Sequence, residues 1–327
     1  MTEGDDVAEA LWYVGRGRAE IREERLGPLA DGRVRVRALY GAISRGTEGI
    51  IAAGRVPASE YQRMRGPYMA GTFPFPVKYG YATVGQVEAG PEEMVGRTVF
   101  ALHPHQTRFD LPADTPVLVP LEVPLSRATL AANMETALNA TWDAAPGPSG
   151  RIAVVGAGVV GALTGFICAR IEGAEVTLVD TNPARADLAR ALGLNFAPAD
   201  APPTDCDTVF HASATAAGLT TALNIAADEA TIVELSWYGA GIVSVPLGGA
   251  FHSRRLKLIS SQVGKVAPSH RATHSNRDRL EAALKLAADE RLDALLNPAI
   301  GFRELPVQLP DILKPQSGVL CQLVSYP

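Results

Sequence analysis

Cysteine is scarce in this 327-residue chain, and lysine is scarcer than its partner arginine. The three cysteines, Cys168, Cys206 and Cys321, lie far apart and form no Cys-x-x-Cys pair. That spacing excludes a disulfide framework and a thiolate zinc site, and it suits a reducing cytoplasm. Five of the 30 basic residues are lysine, a bias that reads as genome composition rather than function. A net charge of −5, with no basic patch interleaved with aromatics, argues against nucleic acid as a partner. Residues 1–6 are acidic and lack the cationic and apolar regions of a signal peptide. One run, 152–169, is uncharged throughout, but Gly156, Gly158 and Gly161 divide it into a buried strand and a buried helix. No membrane segment is expected.

What the chain does have is a dinucleotide-binding pattern. The strand-like 151–155 leads into Gly156-Ala157-Gly158-Val159-Val160-Gly161, then a helical apolar stretch, then a strand ending at Asp180. In this reading Gly156 makes the tight turn, Gly158 lets the backbone approach a pyrophosphate, and Gly161 lets helix and strand pack closely. The amides of Ala157, Val159 and Val160 open the helix toward the phosphates. Asp180 follows Gly161 by 19 residues, where an acid accepts hydrogen bonds from the adenosine ribose. A carboxylate there repels a 2′-phosphate, so NAD is favoured over NADP. Arg185, on the next helix, is a further cofactor-side candidate, as are Ser213 and Ser236 at two later strand ends.

Length and composition allow two domains. Hydrophobic content of 47% and charged content of 20% supply enough apolar side chains for two cores. Residues 11–14, 19–24, 33–39, 77–89 and 97–102 read as strands broken by Gly- and Pro-rich loops, and 112–124 as an extended, proline-punctuated stretch. Residues 128–143 read as a helix. Beyond Asp180 helices (183–194, 216–227) alternate with strands (207–212, 231–237), which implies a doubly wound parallel sheet. Residues 243–246 and 256–263 read as further strands. Helix 277–288, segment 302–313 and strand 319–325 follow. The fold class is therefore α/β: a Rossmann sheet beside a β-rich domain.

The layout resembles the medium-chain dehydrogenase/reductase superfamily over nearly the whole chain. The resemblance rests on 10–37, Gly96-Arg97-Thr98-Val99-Phe100, the glycine motif and 302–313, in matching order. It implies a GroES-like catalytic domain at 1–134 and 265–327 around a Rossmann domain at 135–264. The runs Ile43-Ser44-Arg45-Gly46-Thr47-Glu48, Val77-Lys78-Tyr79-Gly80-Tyr81, Leu102-His103-Pro104-His105-Gln106 and Glu135-Thr136-Ala137-Leu138-Asn139-Ala140 resemble the branch containing 2-desacetyl-2-hydroxyethyl bacteriochlorophyllide a dehydrogenase. A homodimer is implied too, through edge strands around 243–263.

The departures from the zinc-dependent members are informative. Ser44 or Arg45 stands at their cysteine position, and Gly80-Tyr81-Ala82 replaces their Gly-His-Glu segment. Only Glu135 remains at the third position, and one carboxylate cannot make the three-ligand site of a catalytic zinc. His103 and His105 share a spacing that would point both to one face of a strand, but the intervening proline breaks the ladder and no further ligand is evident. No zinc is expected. A hydrogen-bond donor must then polarise the reacting oxygen. Tyr81, Ser44, Arg45 and Thr47 flank the lost metal positions, and Glu135 is placed to act as a base or to orient Arg45. The activity implied is a metal-independent, NAD(H)-dependent interconversion of a secondary alcohol and a ketone of a specialised metabolite, with Trp237-Tyr238 suiting a bulky or aromatic substrate. Reduction of a C=C bond or a quinone, and dinucleotide binding without turnover, are the alternatives.

Overall fold

The structure, a computed structural model, describes residues 7–327; the acidic segment 1–6 lies outside the described residues. The chain divides into two compact units. One holds the residues through Ala132 together with Leu296–Pro327, and the other is Asn133–Leu295.

In the first unit, β1 (Val7–Gly15) and β2 (Arg18–Arg25) form a hairpin, followed by β3 (Arg33–Ile43) and α1 (Arg45–Ala52). Short strands β4 (Ala70–Gly71) and β5 (Val77–Lys78) extend the hairpin to a sheet of order β2-β1-β5-β4. β6 (Thr83–Ala89), β7 (Thr98–Ala101), β8 (Arg108–Pro112) and β9 (Val117–Leu118) follow, then α2 (Leu125–Ala128) and α3 (Ala131–Ala144). β3 shows why this region is β. Its alternation Arg33-Val34-Arg35-Val36-Arg37-Ala38 sends Val34, Val36 and Ala38 into a core with Val87, Val99, Phe109 and Leu111. The arginines face outward, where Arg35 grips Asp110 through two bonds of 2.8 and 3.0 Å.

The second unit is built on one parallel sheet. Its elements are β10 (Arg151–Val155), α4 (Val159–Cys168), β11 (Glu175–Asp180), α5 (Arg185–Ala191), β12 (Asn195–Pro198), β13 (Cys206–His211), α6 (Ala216–Ile225), β14 (Ala226–Glu234), β15 (Lys257–Ser260) and α7 (Asn276–Leu286). The sheet order is β12-β11-β10-β13-β14-β15, with every neighbouring pair parallel. The order reverses between β10 and β13, which makes the carboxyl ends of those strands the ligand-binding crevice of such a sheet. The chain then returns to the first unit with β16 (Leu296–Gly301), α8 (Leu305–Ile312) and β17 (Cys321–Ser325). These complete a sheet of order β16-β17-β3-β6-β7-β9, on which β8 pairs with β3.

Three expectations need correcting. Residues 243–246 form no strand: Val243 and Val245 pack partly against the core of the parallel sheet, but no ladder accompanies them. The last strand of that sheet is confined to Lys257–Ser260, within the expected 256–263. The return to the first unit comes at Leu296 rather than at 265, and within the second unit Arg279 on α7 is bonded to Glu135 and Asn139.

His103 is a buried polar residue of the first unit. Its ring stacks on Phe109 with centroids 3.7 Å apart, and its Nδ1 lies 2.9 Å from the Pro104 carbonyl. Burial lowers its pKa to about 3. The folded state therefore binds this proton less readily than the unfolded chain does, and the stability present above pH 6.5 is lost as the pH falls toward the folded value. Between pH 7 and pH 5 this residue is expected to withdraw about 2 kcal/mol. Urea unfolding at the two pH values should show a flatter response in His103→Phe than in the wild type.

Candidate functional site

Three backbone segments meet at the end of β10. Gly156 has a φ of 106°, and a Cβ there would stand 2.6 Å from the Ser213 amide nitrogen at the end of β13. A Cβ on Gly161 would stand 1.9 Å from the Gly156 carbonyl oxygen. Both glycines are thus required by the protein's own packing. Gly158 differs. It is exposed, its φ of −77° suits any residue, and a Cβ there would meet nothing within 4 Å. It caps α4 without a side-chain hydrogen bond, so the first turn, beginning at Val159 and Val160, opens onto clear space. An exposed glycine beside an uncapped helix start leaves an open cradle of backbone amides.

Asp180, at the tip of β11, closes one side of this cradle. Its carboxylate accepts the Ala157 amide at 2.7 Å and the Asn182 amide at 2.8 Å. The acid is thereby fixed against the glycine turn. Arg185 is the first residue of α5 and is half-buried.

Across the strand-order reversal lie Ser213 and Ser236. The Ser236 hydroxyl accepts the Ala214 amide at 3.0 Å, tying the ends of β13 and β14 together. Ser213 lies in a chain of polar side chains whose other members are His211 and Glu234. The parallel register sets His211 beside Glu234, and neighbours in register point to the same face. His211 Nδ1 lies 2.7 Å from a Glu234 oxygen, and its Nε2 lies 2.7 Å from the Ser213 hydroxyl. The Thr215 hydroxyl is 2.9 Å from Ser213, and the Tyr238 hydroxyl donates to Glu234 at 2.9 Å. His211 and Glu234 were not among the candidates read from sequence. The available signal was the repeated spacing, His211 two before Ser213 and Glu234 two before Ser236, at two adjacent strand ends.

In the first unit, Tyr81, Ser44 and Thr47 come together. The Tyr81 hydroxyl donates to the Ser44 hydroxyl and is also hydrogen-bonded to Thr47, while its ring meets Tyr79 edge-on at 6.1 Å. Burial pushes its pKa up to about 12, against those two hydrogen bonds. The phenol therefore stays protonated near neutral pH, with its one hydrogen given to Ser44. Behind it, Glu48 is fully buried and accepts from Tyr13 at 2.5 Å and from the Ser44 amide at 2.8 Å, with His105 Nε2 at 3.0 Å.

Arg45 does not join this cluster. Its guanidinium donates to the carbonyls of Ile312, Lys314 and Val319, clamping the segment before β17. Glu135 is held by a different arginine. In the second unit Glu135 forms an ion pair with Arg279 at 2.9 Å, and Arg279, itself 1% exposed, also donates to Asn139. Burial raises the Glu135 pKa, with Arg279 opposing the rise. His103 and His105 diverge, one ring to Phe109 and the other to Glu48. Among the described residues no group of three or more His, Cys, Asp or Glu is placed to hold a metal ion.

No family model matches the chain, and no curated protein does. Solved structures do. L-idonate 5-dehydrogenase from Escherichia coli superposes with a TM-score of 0.78 at 14% identity, covering 98% of each chain. A dehydrogenase from Sinorhizobium meliloti 1021 bound to NADP gives 0.77 at 15%, covering 98% of this chain and 99% of that one. An alcohol dehydrogenase from Escherichia coli CFT073 complexed with NADH gives 0.76 at 16%, covering 98% and 100%. The chain shares the two-unit fold of these dehydrogenases. At these identities the likeness is one of fold, and the expectation of a Rossmann sheet with a separate β-rich domain is met.

The three glycines should separate cleanly in stability. Gly156→Ala and Gly161→Ala are expected to lose roughly 3 kcal/mol or more, since backbone must move to admit the methyl group. Gly158→Ala should stay within about 0.5 kcal/mol of wild type. Chemical denaturation of the three variants checks this.

Proposed function

We propose that this protein is an NAD(H)-dependent oxidoreductase that interconverts a secondary alcohol and a ketone of a specialised metabolite without zinc. The observation that carries the reading is Gly158: among the three motif glycines it alone has room for a side chain, so its need for none points to a ligand. The open first turn of α4 fits a pyrophosphate, and the carboxylate of Asp180 fits a ribose diol and opposes a 2′-phosphate. The residues present therefore fit a nicotinamide dinucleotide, held by 156–161 and Asp180, with Ser213 and Ser236 on its other half. When bound, that cofactor supplies the hydride acceptor or donor.

The chain's own residues handle the oxygen and its proton. Tyr81 is held in its protonated form by burial, and a carbonyl oxygen that replaces the Ser44 hydroxyl as acceptor receives its hydrogen bond as negative charge develops there. Ser44 and Thr47 fix the phenol's direction. Glu135, its pKa raised by burial, is the nearest match to a general base in the second unit. The zinc-free reading rests on the donor set: a phenol and hydroxyls stand where thiolate and imidazole would be needed. A homodimer is supported by β15, the outermost strand of the parallel sheet, with Leu258 on it 37% exposed and Ile242 nearby in sequence 98% exposed. No helix among the described residues is long and apolar enough to cross a membrane.

Calorimetric titration with NADH and NADPH tests the cofactor assignment. Wild type should prefer NADH, Gly158→Ala should weaken NADH binding at least tenfold, and Asp180→Asn should narrow the preference by about tenfold, ~1.4 kcal/mol. Absence of binding to either dinucleotide would end the proposal. For the chemistry, Tyr81→Phe should lower kcat for ketone reduction by about 10²–10³-fold while leaving NADH affinity unchanged. Stoichiometric zinc in the purified, active protein would overturn the metal-free mechanism.

A further inference from the structure

The polar chain at the ends of β13 and β14 has a direction, and the direction follows from its fixed members. Glu234 receives three donors. One oxygen accepts the Ser236 amide at 2.7 Å, and the other faces the Tyr238 hydroxyl at 2.9 Å and His211 Nδ1 at 2.7 Å. Although burial opposes it, the hydrogen bonds from His211 and Ser236 hold the Glu234 carboxyl below its usual range, so it is ionised and can only accept. His211 must therefore carry its proton on Nδ1. In the neutral imidazole Nε2 is then an acceptor, and the Ser213 hydroxyl 2.7 Å away gives it a hydrogen. Thr215 in turn accepts the Gly218 amide at 3.0 Å, and its own hydroxyl hydrogen points to Ser213.

Ser213 thus gives its one hydrogen inward, takes one from Thr215, and keeps a single lone pair. His211 is fully buried and Ser213 half-buried, at the strand-order reversal beside Gly156. The packing enforces this arrangement: a Cβ on Gly218 would stand 2.1 Å from the Ser213 hydroxyl and 2.9 Å from His211 Nε2.

We propose that Glu234 and His211 are positioning residues that fix Ser213 as a hydrogen-bond acceptor, selecting a donor group on the nicotinamide half of a bound dinucleotide. The inference rests on the dinucleotide-binding reading above and adds to it a specificity device. The sheet has two mononucleotide-binding halves, and Ser213 belongs to the half opposite Asp180. The donor it takes is a ribose hydroxyl or the carboxamide N–H₂. A role confined to satisfying the buried histidine would leave dinucleotide affinity unchanged when Ser213 or Glu234 is replaced.

Glu234→Gln makes the distinction. The Ser236 amide requires an acceptor, so the new side chain must place its oxygen there and turn its N–H₂ toward His211 Nδ1. The proton moves to Nε2, and Ser213 changes from donor to acceptor toward His211, which consumes its free lone pair. NADH, ADP-ribose and AMP are titrated into wild type, Ser213→Ala, Glu234→Gln and the double variant, with imidazole ¹⁵N shifts recorded in parallel. The expected result is an Nδ1–H tautomer in wild type, Nε2–H in Glu234→Gln, and NADH affinity lowered roughly three- to tenfold in each single variant. The double variant should be no weaker than the singles, because both remove the same bond. A parallel loss with ADP-ribose assigns the donor to the ribose, and an unchanged ADP-ribose affinity assigns it to the carboxamide. Unchanged NADH affinity, additive losses, an equal loss for AMP, or an Nε2–H tautomer in wild type would each overturn the inference. Should Glu234→Gln fail to fold, Ser213→Ala and the wild-type tautomer still decide. Failure of wild type to bind any dinucleotide would overturn the functional reading itself, and this inference with it.

Discussion

The close approach of α4 to the end of β10 is the constraint on which the second unit depends. With hydrogen in place of Cβ at Gly161, the first turn of the helix lies directly on the Gly156 carbonyl, and Gly156 in turn lies against the backbone at Ser213. Three strand or helix ends are thereby held within backbone contact distance. The crevice between β10 and β13, the orientation of the open α4 amides and the placement of the polar chain beyond β13 all inherit their geometry from that contact. Asp180 reinforces it from the far side by accepting the Ala157 amide.

Much of this was legible in the amino-acid order because it is local. The glycine motif, the acid after the next strand and the alternation in β3 are patterns a few residues long, each with its own steric meaning. The gathering of Tyr81 with Ser44 and Thr47 was legible only through resemblance, since the residues come from different elements of the first unit. What stayed hidden depended on pairing over distance. Nothing near Glu135 announces Arg279, and nothing near His211 announces Glu234; the first pair is set by the packing of α7, the second by strand register. Residues 243–246 misled for the opposite reason. Alternating valines are what a half-buried strand requires, but apolar contacts were available there without a neighbouring ladder.

Two buried carboxylates, Glu48 in the first unit and Glu135 in the second, are held differently. In the second, Arg279 and Glu135 neutralise each other, and the arginine's remaining donors go to Asn139 and the Val263 carbonyl. In the first, Glu48 is surrounded by donors that are neutral or only conditionally charged: Tyr13, the Ser44 amide and His105. An ion pair resists rearrangement because separating it exposes two charges. A carboxylate dispersed over hydroxyl, amide and imidazole has partners that can shift individually. The hydroxyl cluster containing Tyr81 adjoins the second kind of environment through Ser44, whose amide and hydroxyl serve both networks.

β17 lies between β3 and β16 in the larger sheet of the first unit, and Arg45 is bonded to the segment immediately before it. A ribosome delivers β3 and Arg45 early and β17 only after the entire second unit has been made. During synthesis the Tyr40–Ile43 stretch of one β3 edge therefore waits unpaired beside the part that β8 covers, while the contiguous second unit has all six of its strands in hand. The first unit can therefore be completed only after the second has been made. The nascent first unit is the stage at which this chain presents an open strand edge to chaperones or to other unfinished copies of itself.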